Sequence, residues 1–174
     1  MATASRRRSR RPVYTEKYFD DGPLAPFPYV EYRKNGKLHH GKGPAVIVYD
    51  TDYADGYFHG REFPGVYEVM YYRNGKLHRD DGAAVITYRW HSTEEYKYYK
   101  HGKLHRVDGP AHVKFGSFGF KHYYIDGKLH REDGPAVIEY GTKDRVEENI
   151  IHRKHYIHGE FVKDDGYIKI VKCP

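Results

Sequence analysis

The chain has 174 residues and a formal net charge of +6, and it contains 19 Tyr, 8 Phe and 18 Gly against only 2 Met. This length suits one ordinary domain, and the composition favours strands and tight turns over amphipathic helices. No apolar run approaches the roughly 18 residues of a membrane-spanning helix and the start lacks the apolar core of a secretory signal, so we expect an intracellular protein.

The first 13 residues form an arginine-rich segment. Five guanidinium groups precede any acidic residue: Arg6, Arg7, Arg8, Arg10 and Arg11. Because like charges repel and cannot build a core, we expect a disordered arm that seeks phosphate or carboxylate. A nuclear address, an arm on nucleic acid and an anchor to an acidic protein surface all remain open, as does a solubilising tail without a partner.

Residues 14–28 come next and include Asp20-Asp21-Gly22-Pro23, which resembles the second half of the repeat described below. We expect this segment to be an N-terminal cap or a partial repeat.

Residues 29–174 contain five clear copies of one pattern. In four copies the letters GKLH recur, and in all five a second glycine follows seven positions after the first. The glycine pairs are Gly36 and Gly43, Gly75 and Gly82, Gly102 and Gly109, Gly127 and Gly134, and Gly159 and Gly166. A sixth, decayed copy at residues 55–64 is an alternative interpretation.

Each first glycine is predicted to lie in a two-residue turn. Asn35-Gly36, Asn74-Gly75 and Asp126-Gly127 are preferred pairs where both central residues need positive φ. Tyrosine-rich segments precede these turns, and hydrophobic strands follow each second glycine, which we interpret as a bend. Each copy is therefore predicted to be one hairpin, with a long loop between the two glycines as an open alternative.

Alternation along the second strand predicts one buried face. Its residues are Ala45, Ile47, Tyr49, Ala84, Ile86, Tyr88, Ala111, Val113, Phe115, Ala136, Ile138 and Tyr140. Across the turns, Tyr72, Tyr99, Tyr124 and Tyr156 should oppose Leu77, Leu104, Leu129 and Phe161. Because single hairpins are marginal in water, the predicted fold is all-β, an elongated antiparallel meander of repeated hairpins.

The order of residues in YYRNGKLHRDDGAAVITY resembles MORN repeats, and more closely the MORN-like arrays of bacterial, phage and giant-virus proteins. The resemblance covers residues 29–171 and departs from standard MORN repeats at the Asp-Gly-Pro-Ala bend and in the irregular connectors. It implies a non-catalytic array used for scaffolding, membrane association or protein interaction. It also implies a large DNA virus as the source, so nuclear and virion-associated locations are both expected.

Two sets of side chains invite a chemical interpretation that the repetition disfavours. His39, His78, His105 and His130 recur once per copy, but zinc sites gather several ligands locally, so we expect no metal. Adjacent acids such as Asp80-Asp81 recur in the same way and precede glycine, which is ordinary turn chemistry. A glycosidase needs two unique carboxylates, and no cofactor fingerprint is present, so we expect no enzyme and no cofactor. A carbohydrate-active or metal-dependent enzyme is the least favoured alternative.

The outward face of the hairpins is the candidate binding face. It consists of Tyr71, Arg73, Lys76, His78, Tyr98, Lys100, Lys103, His105, Tyr123, Lys128 and His130. This basic-aromatic strip could stack on bases, hold phosphates or meet anionic lipid headgroups. We expect a structural or protein-interaction scaffold whose arm binds nucleic acid or another polyanion, with a peripheral lipid adaptor as the alternative. A protein partner and self-association through exposed sheet ends are also expected.

Overall fold

The structure, a computed structural model, describes residues 14–19, 29–49, 65–88, 94–116, 118–142 and 149–169. The arginine-rich arm, the Asp20–Pro23 motif and the proposed sixth copy at 55–64 lie outside these ranges. The five clear copies are called copy 1 (29–49), copy 2 (65–88), copy 3 (94–115), copy 4 (120–142) and copy 5 (149–169).

The described residues form strands, turns and bends, and none of them lies in a helix. The strands are β1 (Tyr14–Phe19), β2 (Tyr29–Lys34), β3 (Lys37–Leu38), β4 (Val46–Tyr49), β5 (Val66–Met70), β6 (Tyr72–Arg73), β7 (Lys76–Leu77), β8 (Val85–Tyr88), β9 (Glu94–Lys97), β10 (Tyr99–Lys100), β11 (Lys103–Leu104), β12 (His112–Lys114), β13 (Phe120–His122), β14 (Tyr124–Ile125), β15 (Lys128–Leu129), β16 (Val137–Thr142), β17 (Asn149–Ile157) and β18 (Glu160–Lys169). Accordingly, no helix in this part of the chain is long and apolar enough to cross a membrane.

One antiparallel sheet joins all five copies. Its strand order is β1-β2-β4-β5-β8-β9-β12-β13-β16-β17-β18, with β3 attached to β2, and three two-stranded sheets complete the fold. Each copy contributes two neighbouring strands, such as β5 and β8 in copy 2. The predicted all-β meander of hairpins is therefore confirmed.

The end of each hairpin is a separate small element, here called the tip. In copy 2, β5 ends at Met70, and β6 and β7 form the tip around Asn74-Gly75. The chain then crosses residues 78–84 without strand structure before it enters β8. The interpretation of the copy as one hairpin and the alternative of a long loop between its two glycines thus each hold in part, because a two-residue strand and a loop together link the two glycines.

The tip turns have the backbone conformation that their residues predict. The first turn residue has φ between 51° and 53° in all five copies, and the glycine after it has φ between 74° and 90°. His101 and His158 adopt this left-handed conformation although neither is Asn, Asp or Gly. The predicted cross-turn pairs Tyr72–Leu77, Tyr99–Leu104, Tyr124–Leu129 and Tyr156–Phe161 are all confirmed.

The second glycine of copies 2, 3 and 4 lies in a bend and is not among the residues with positive φ. Close packing therefore explains the absence of a side chain there better than a need for a left-handed backbone. A Cβ at Gly82, Gly109 or Gly134 would lie 3.2 Å from the guanidinium carbon of the arginine three residues earlier. Gly166 differs, because it lies inside β18 beside a register shift and has φ of 71°. The prediction of a bend there was wrong, since copy 5 continues as a strand.

The hydrophobic residues are buried on both faces of the sheet. The four repeat alanines, Ala45, Ala84, Ala111 and Ala136, are fully buried as predicted. The prediction of a single buried face was wrong, because Val46 and Val48 are each 3% exposed while Phe115 is 50% exposed. The reason is tertiary: Leu38 and Tyr72 of the tips pack against the cluster of Tyr29, Val46 and Val48. A second cluster contains Val66, Val69, Ala83, Ile86 and Tyr88.

Candidate functional site

Neighbouring tips are joined by a repeated set of backbone hydrogen bonds. The turn glycine of each later copy donates its N–H to the leucine carbonyl of the copy before it, at 2.8 Å in all four junctions. The donors are Gly75, Gly102, Gly127 and Gly159, and the acceptors are Leu38, Leu77, Leu104 and Leu129. The tips therefore form one continuous series, in which each copy is held by the next.

The recurring histidines lie at these junctions and accept hydrogen bonds there. Nδ1 of His39, His78, His105 and His130 accepts from the backbone N–H of Asn74, His101, Asp126 and His158, at 3.1–3.2 Å. An imidazole nitrogen accepts only when it is unprotonated. Nδ1 of His105 also lies 3.0 Å from Oδ1 of Asp126, a carboxylate oxygen that can only accept, so at this junction the ring can instead donate. Metal binding at these four atoms would compete with the junction contacts, and no group of three metal-binding side chains occurs among the described residues.

His78 is the most enclosed of the four. It is 4% exposed, its Nε2 lies 3.0 Å from Asp80 Oδ1, and its ring stacks on His101 at 4.5 Å. Burial lowers the pKa of His78, and the charge of Arg73 lowers it further. Burial also lowers the pKa of His39, His112 and His122.

These histidines predict that acid destabilises the fold. In the unfolded chain a histidine titrates near 6.5, whereas the folded protein lowers the pKa of these four residues. Below about pH 6.5 the unfolded state binds more protons than the folded state. The contribution of these histidines to the free energy of unfolding is therefore fully present above this pH, and it is lost as the pH falls toward the folded-state pKa values. Urea unfolding between about pH 7.5 and pH 5 should show a falling free energy of unfolding.

The variant His78→Asn tests the assignment, because the amide oxygen can accept in place of Nδ1 but does not titrate. Its unfolding free energy should depend less steeply on pH than that of the parent. An identical pH dependence in the two proteins would contradict the role given to His78.

A tyrosine, an arginine and an aspartate form a second repeated contact. The guanidinium carbons of Arg79, Arg106 and Arg131 lie 4.0–4.2 Å above the rings of Tyr71, Tyr98 and Tyr123. Nε of each arginine donates to Asp81, Asp108 or Asp133 at 2.8–3.0 Å. In copy 1 the ring of His40 stacks on Tyr32 in the equivalent place, at 4.7 Å. The sequence analysis missed this contact, although the constant spacing of HRDDG, HRVDG and HREDG is a signal for it.

The variant Arg106→Ala should lower the free energy of unfolding by about 1–2 kcal/mol, because it removes a cation–π contact, an ion pair and the cover over Gly109. Lys42→Ala, at an exposed position of copy 1, should change it by less than about 0.5 kcal/mol. Chemical denaturation measures both, and equal effects in the two variants would show that the stacked arginine adds nothing specific.

The adjacent acids are held in their ionised form. Hydrogen bonds from Arg73, Arg79 and Arg131 lower the pKa of Asp80, Asp81 and Asp133, respectively. In copy 5 a backbone hydrogen bond from Gly166 lowers the pKa of Asp164. A catalytic acid needs the opposite, a carboxyl whose pKa is raised.

Two equivalent clefts open between neighbouring copies. One of about 530 Å³ lies between copies 2 and 3, and one of about 550 Å³ lies between copies 1 and 2. The first contains the cations Arg79, Lys100 and Arg106 and the anions Asp80, Asp81 and Asp108. Since its charges balance and five of these six groups are in ion pairs, the cleft attracts neither sign of ligand strongly.

The cations beside the turns form a row along the tips, here called the tip row. Its members are Lys34, Lys37, Arg73, Lys76, Lys100, Lys103 and Lys128. All except Lys34 are exposed. The lysine stems lie over the following tip, since a Cβ on Gly75, Gly102 or Gly127 would meet Cβ of Lys37, Lys76 or Lys103 at 3.6 Å. Stem packing therefore places Lys37, Lys76 and Lys103 each against the turn of the next copy.

Copies 1, 2 and 3 place two cations directly opposite each other across the turn. The pairs are Lys34–Lys37, Arg73–Lys76 and Lys100–Lys103. Like charges in this position destabilise a hairpin. Arg73 is compensated by Asp80 at 2.7 Å, whereas the six lysines of the tip row form no ion pair with any described residue.

The first described strand pairs with the strand that leads to the first tip. In the pairing of β1 with β2, Tyr14 lies opposite Lys34. Arg11 precedes Tyr14 by three residues, which is at most about 11 Å of extended chain.

The structure brings together only part of the candidate binding face. Arg73, Lys76, Lys100, Lys103 and Lys128 lie in the tip row. The three tyrosines of that face are covered by arginines, and His78, His105 and His130 are engaged at the junctions. Lys34 and Lys37 belong with the row although the sequence analysis left them out.

The charge of the tips changes along the array. Two cations flank the turn in copies 1 to 3, Lys128 is offset by Asp126 in copy 4, and copy 5 has only Glu160. The basic part of the row is thus confined to copies 1 to 3 and to the start of copy 4.

Comparison of the chain with models of known protein families, with curated proteins and with solved structures finds no match.

Proposed function

We propose that this chain is a non-enzymatic interaction scaffold, a MORN-like array of β-hairpins that binds a linear polyanion through the tip row and the arginine-rich arm. The observation that carries the proposal is the set of lysines held opposite one another at the turns. They oppose folding stability and have no ionic partner among the described residues, so a ligand that neutralises them would relieve the repulsion.

Two further observations support the proposal. Arg11 is separated from Tyr14, the partner of Lys34 in the sheet, by at most about 11 Å of extended chain, so arm and row can engage the same polymer. The stems of Lys37, Lys76 and Lys103 also rest on the turn glycines of the next copy, and this reduces the entropy that these side chains lose on association.

The repeated carboxylates support a non-enzymatic role. Asp80, Asp81, Asp108 and Asp133 are each bound by an arginine that keeps them ionised and occupied. Their geometry explains the tip loops without catalysis, because the pairs of Asp81, Asp108 and Asp133 with their arginines each close a loop over a tyrosine.

The test is a binding series with heparin, DNA and anionic phospholipid vesicles at about 50 to 300 mM salt, with the full chain and a form lacking residues 1–12. Both forms should bind the polymers, with affinity falling steeply in salt and with the shorter form showing the smaller salt dependence. Failure of both forms to bind any polymer would overturn the polyanion proposal.

The same series tests the lipid adaptor. Tight vesicle binding by the shorter form, with no polymer binding, would replace the proposal with peripheral membrane association. The exposed apolar side chains do not favour this outcome. Phe115 and Phe118 lie in the β12–β13 connection at the end of the strands away from the tips, and Phe161 and Val162 belong to copy 5, which adds no cation to the row.

A further inference from the structure

We infer that the tip row recognises duplex nucleic acid through its phosphates and reads no bases. This inference rests on the proposed function and names the ligand of the same site. It follows from which groups of the candidate binding face are free to touch a ligand and which are already occupied.

The tyrosines are not available for base stacking. Proteins that hold single strands stack successive bases on open aromatic faces. Here Tyr71 and Tyr98 pack against the hydrophobic cluster around Val69 and Ile86, and they also lie beneath Arg79 and Arg106 at 4.0 and 4.1 Å. A base would have to displace a guanidinium that is itself held by an aspartate.

The remaining donors suit phosphate contacts better than base contacts. The planar fork that matches a base edge with two parallel hydrogen bonds belongs to arginine, and the one arginine of the row, Arg73, is engaged by Asp80 at 2.7 Å. The lysines are compact point charges on flexible stems, which suits phosphate contacts that are indifferent to sequence.

The arrangement of the lysines suits a polymer with closely spaced charges. Neighbouring strands lie about 4.8 Å apart and each copy adds two strands, so the tips repeat at about 10 Å and the three basic copies span about 20 Å. Over that length duplex DNA carries about 12 phosphate charges, because its axis holds one charge per 1.7 Å. A row of this kind can contact several phosphates of one duplex.

The experiment compares a 20-base-pair duplex with a single strand of the same length, using the full chain and fluorescence anisotropy at several salt concentrations. The six lysines of the row contribute about −5.4 to the slope of log K against log salt for the duplex and about −4.2 for the single strand, and each phosphate contact of the arm adds about −0.9 or −0.7, respectively. The duplex should therefore bind at least about tenfold more tightly near 0.1 M salt, and two duplexes of unrelated sequence should bind equally.

Tighter binding of the single strand, weakened by Tyr98→Leu, would overturn the inference and leave the proposed function in place. A preference of more than tenfold between the two duplexes would also overturn it, because phosphate contacts carry no sequence information. If neither nucleic acid binds while heparin does, the duplex is excluded and the proposed function stands. Failure of all three polymers would overturn both.

Discussion

Replacing Lys34, Lys37, Lys100 and Lys103 together by glutamine should weaken the binding of duplex DNA by about 10³-fold near 0.1 M salt. Each lost phosphate contact lowers the salt slope by about 0.9, so four contacts lower it by about 3.6. Glutamine keeps most of the stem that covers the neighbouring turn, and fluorescence anisotropy over a salt series measures both quantities.

The same variant should fold at least as well as the parent. It removes the opposed pairs Lys34–Lys37 and Lys100–Lys103, each of which costs the hairpin a few tenths of a kcal/mol to about 1 kcal/mol. A loss of binding together with unchanged or higher unfolding free energy would separate ligand recognition from structure.

A matched control changes the same net charge elsewhere. Lys42, Lys114, Lys121 and Lys163 lie outside the tip row, and replacing these four by glutamine also removes four positive charges. This control variant should keep most of the parent's affinity for duplex DNA. An equal loss in the two quadruple variants would mean that net charge alone governs binding, and it would remove the special role of the tips.

The variant Gly119→Ala should lower the free energy of unfolding by about 2–4 kcal/mol. A Cβ at this position would lie 2.6 Å from the backbone carbonyl oxygen of Lys114 and 3.1 Å from that of Gly116. The backbone cannot shift easily at this position, because Gly119 donates its N–H to the carbonyl of Gly116 and its own carbonyl accepts from the N–H of Tyr140. Urea unfolding followed by tyrosine fluorescence measures the effect.

Gly141→Ala is the control for this prediction, because an added Cβ there meets only the ring of Phe118, at 3.4 Å. Phe118 is 66% exposed and can move away, so the change should stay within about 0.5 kcal/mol. A similar loss in both variants would show that glycine at these sites serves chain flexibility and not close packing.

The repeated parts of the fold could be predicted from the sequence because several copies report on one local geometry. Asn35-Gly36, Asn74-Gly75 and Asp126-Gly127 determine their turns through backbone sterics, and the pairing of Tyr72 with Leu77 follows from counting across the turn. His101 and His158 adopt the same backbone conformation because they occupy the same turn position in their copies. Gly119 was not predicted, since it occurs once and the repeat gives no information on it.

The two faces of the sheet could not be told apart by alternation alone. Val46 and Val48 are buried because the tips fold back over them, and this depends on contacts such as those of Leu38 and Tyr72. A period-two pattern assumes that one face meets water, and here that assumption fails in copy 1.

The exposure of the cations in the candidate site could be predicted from the sequence, whereas the surroundings of its tyrosines could not. Lys76, Lys100 and Lys103 are exposed because residues beside a tight turn have few neighbours. Tyr98 was predicted to lie on an open face, but it packs against the cluster that contains Val69 and Ile86, and the loop that carries Arg106 returns over its ring. The position of Tyr14 opposite Lys34 likewise depends on the pairing of β1 with β2.

The charge of the tips is graded along the array, from Lys34 and Lys37 in copy 1 to Glu160 in copy 5. In the proposed complex, a negatively charged polymer would therefore attract the tips of the first copies and repel the tip of the last one. The exposed side chains of Phe161 and Val162, which follow Glu160 in copy 5, would then stay on the part of the tip series that the polymer does not cover.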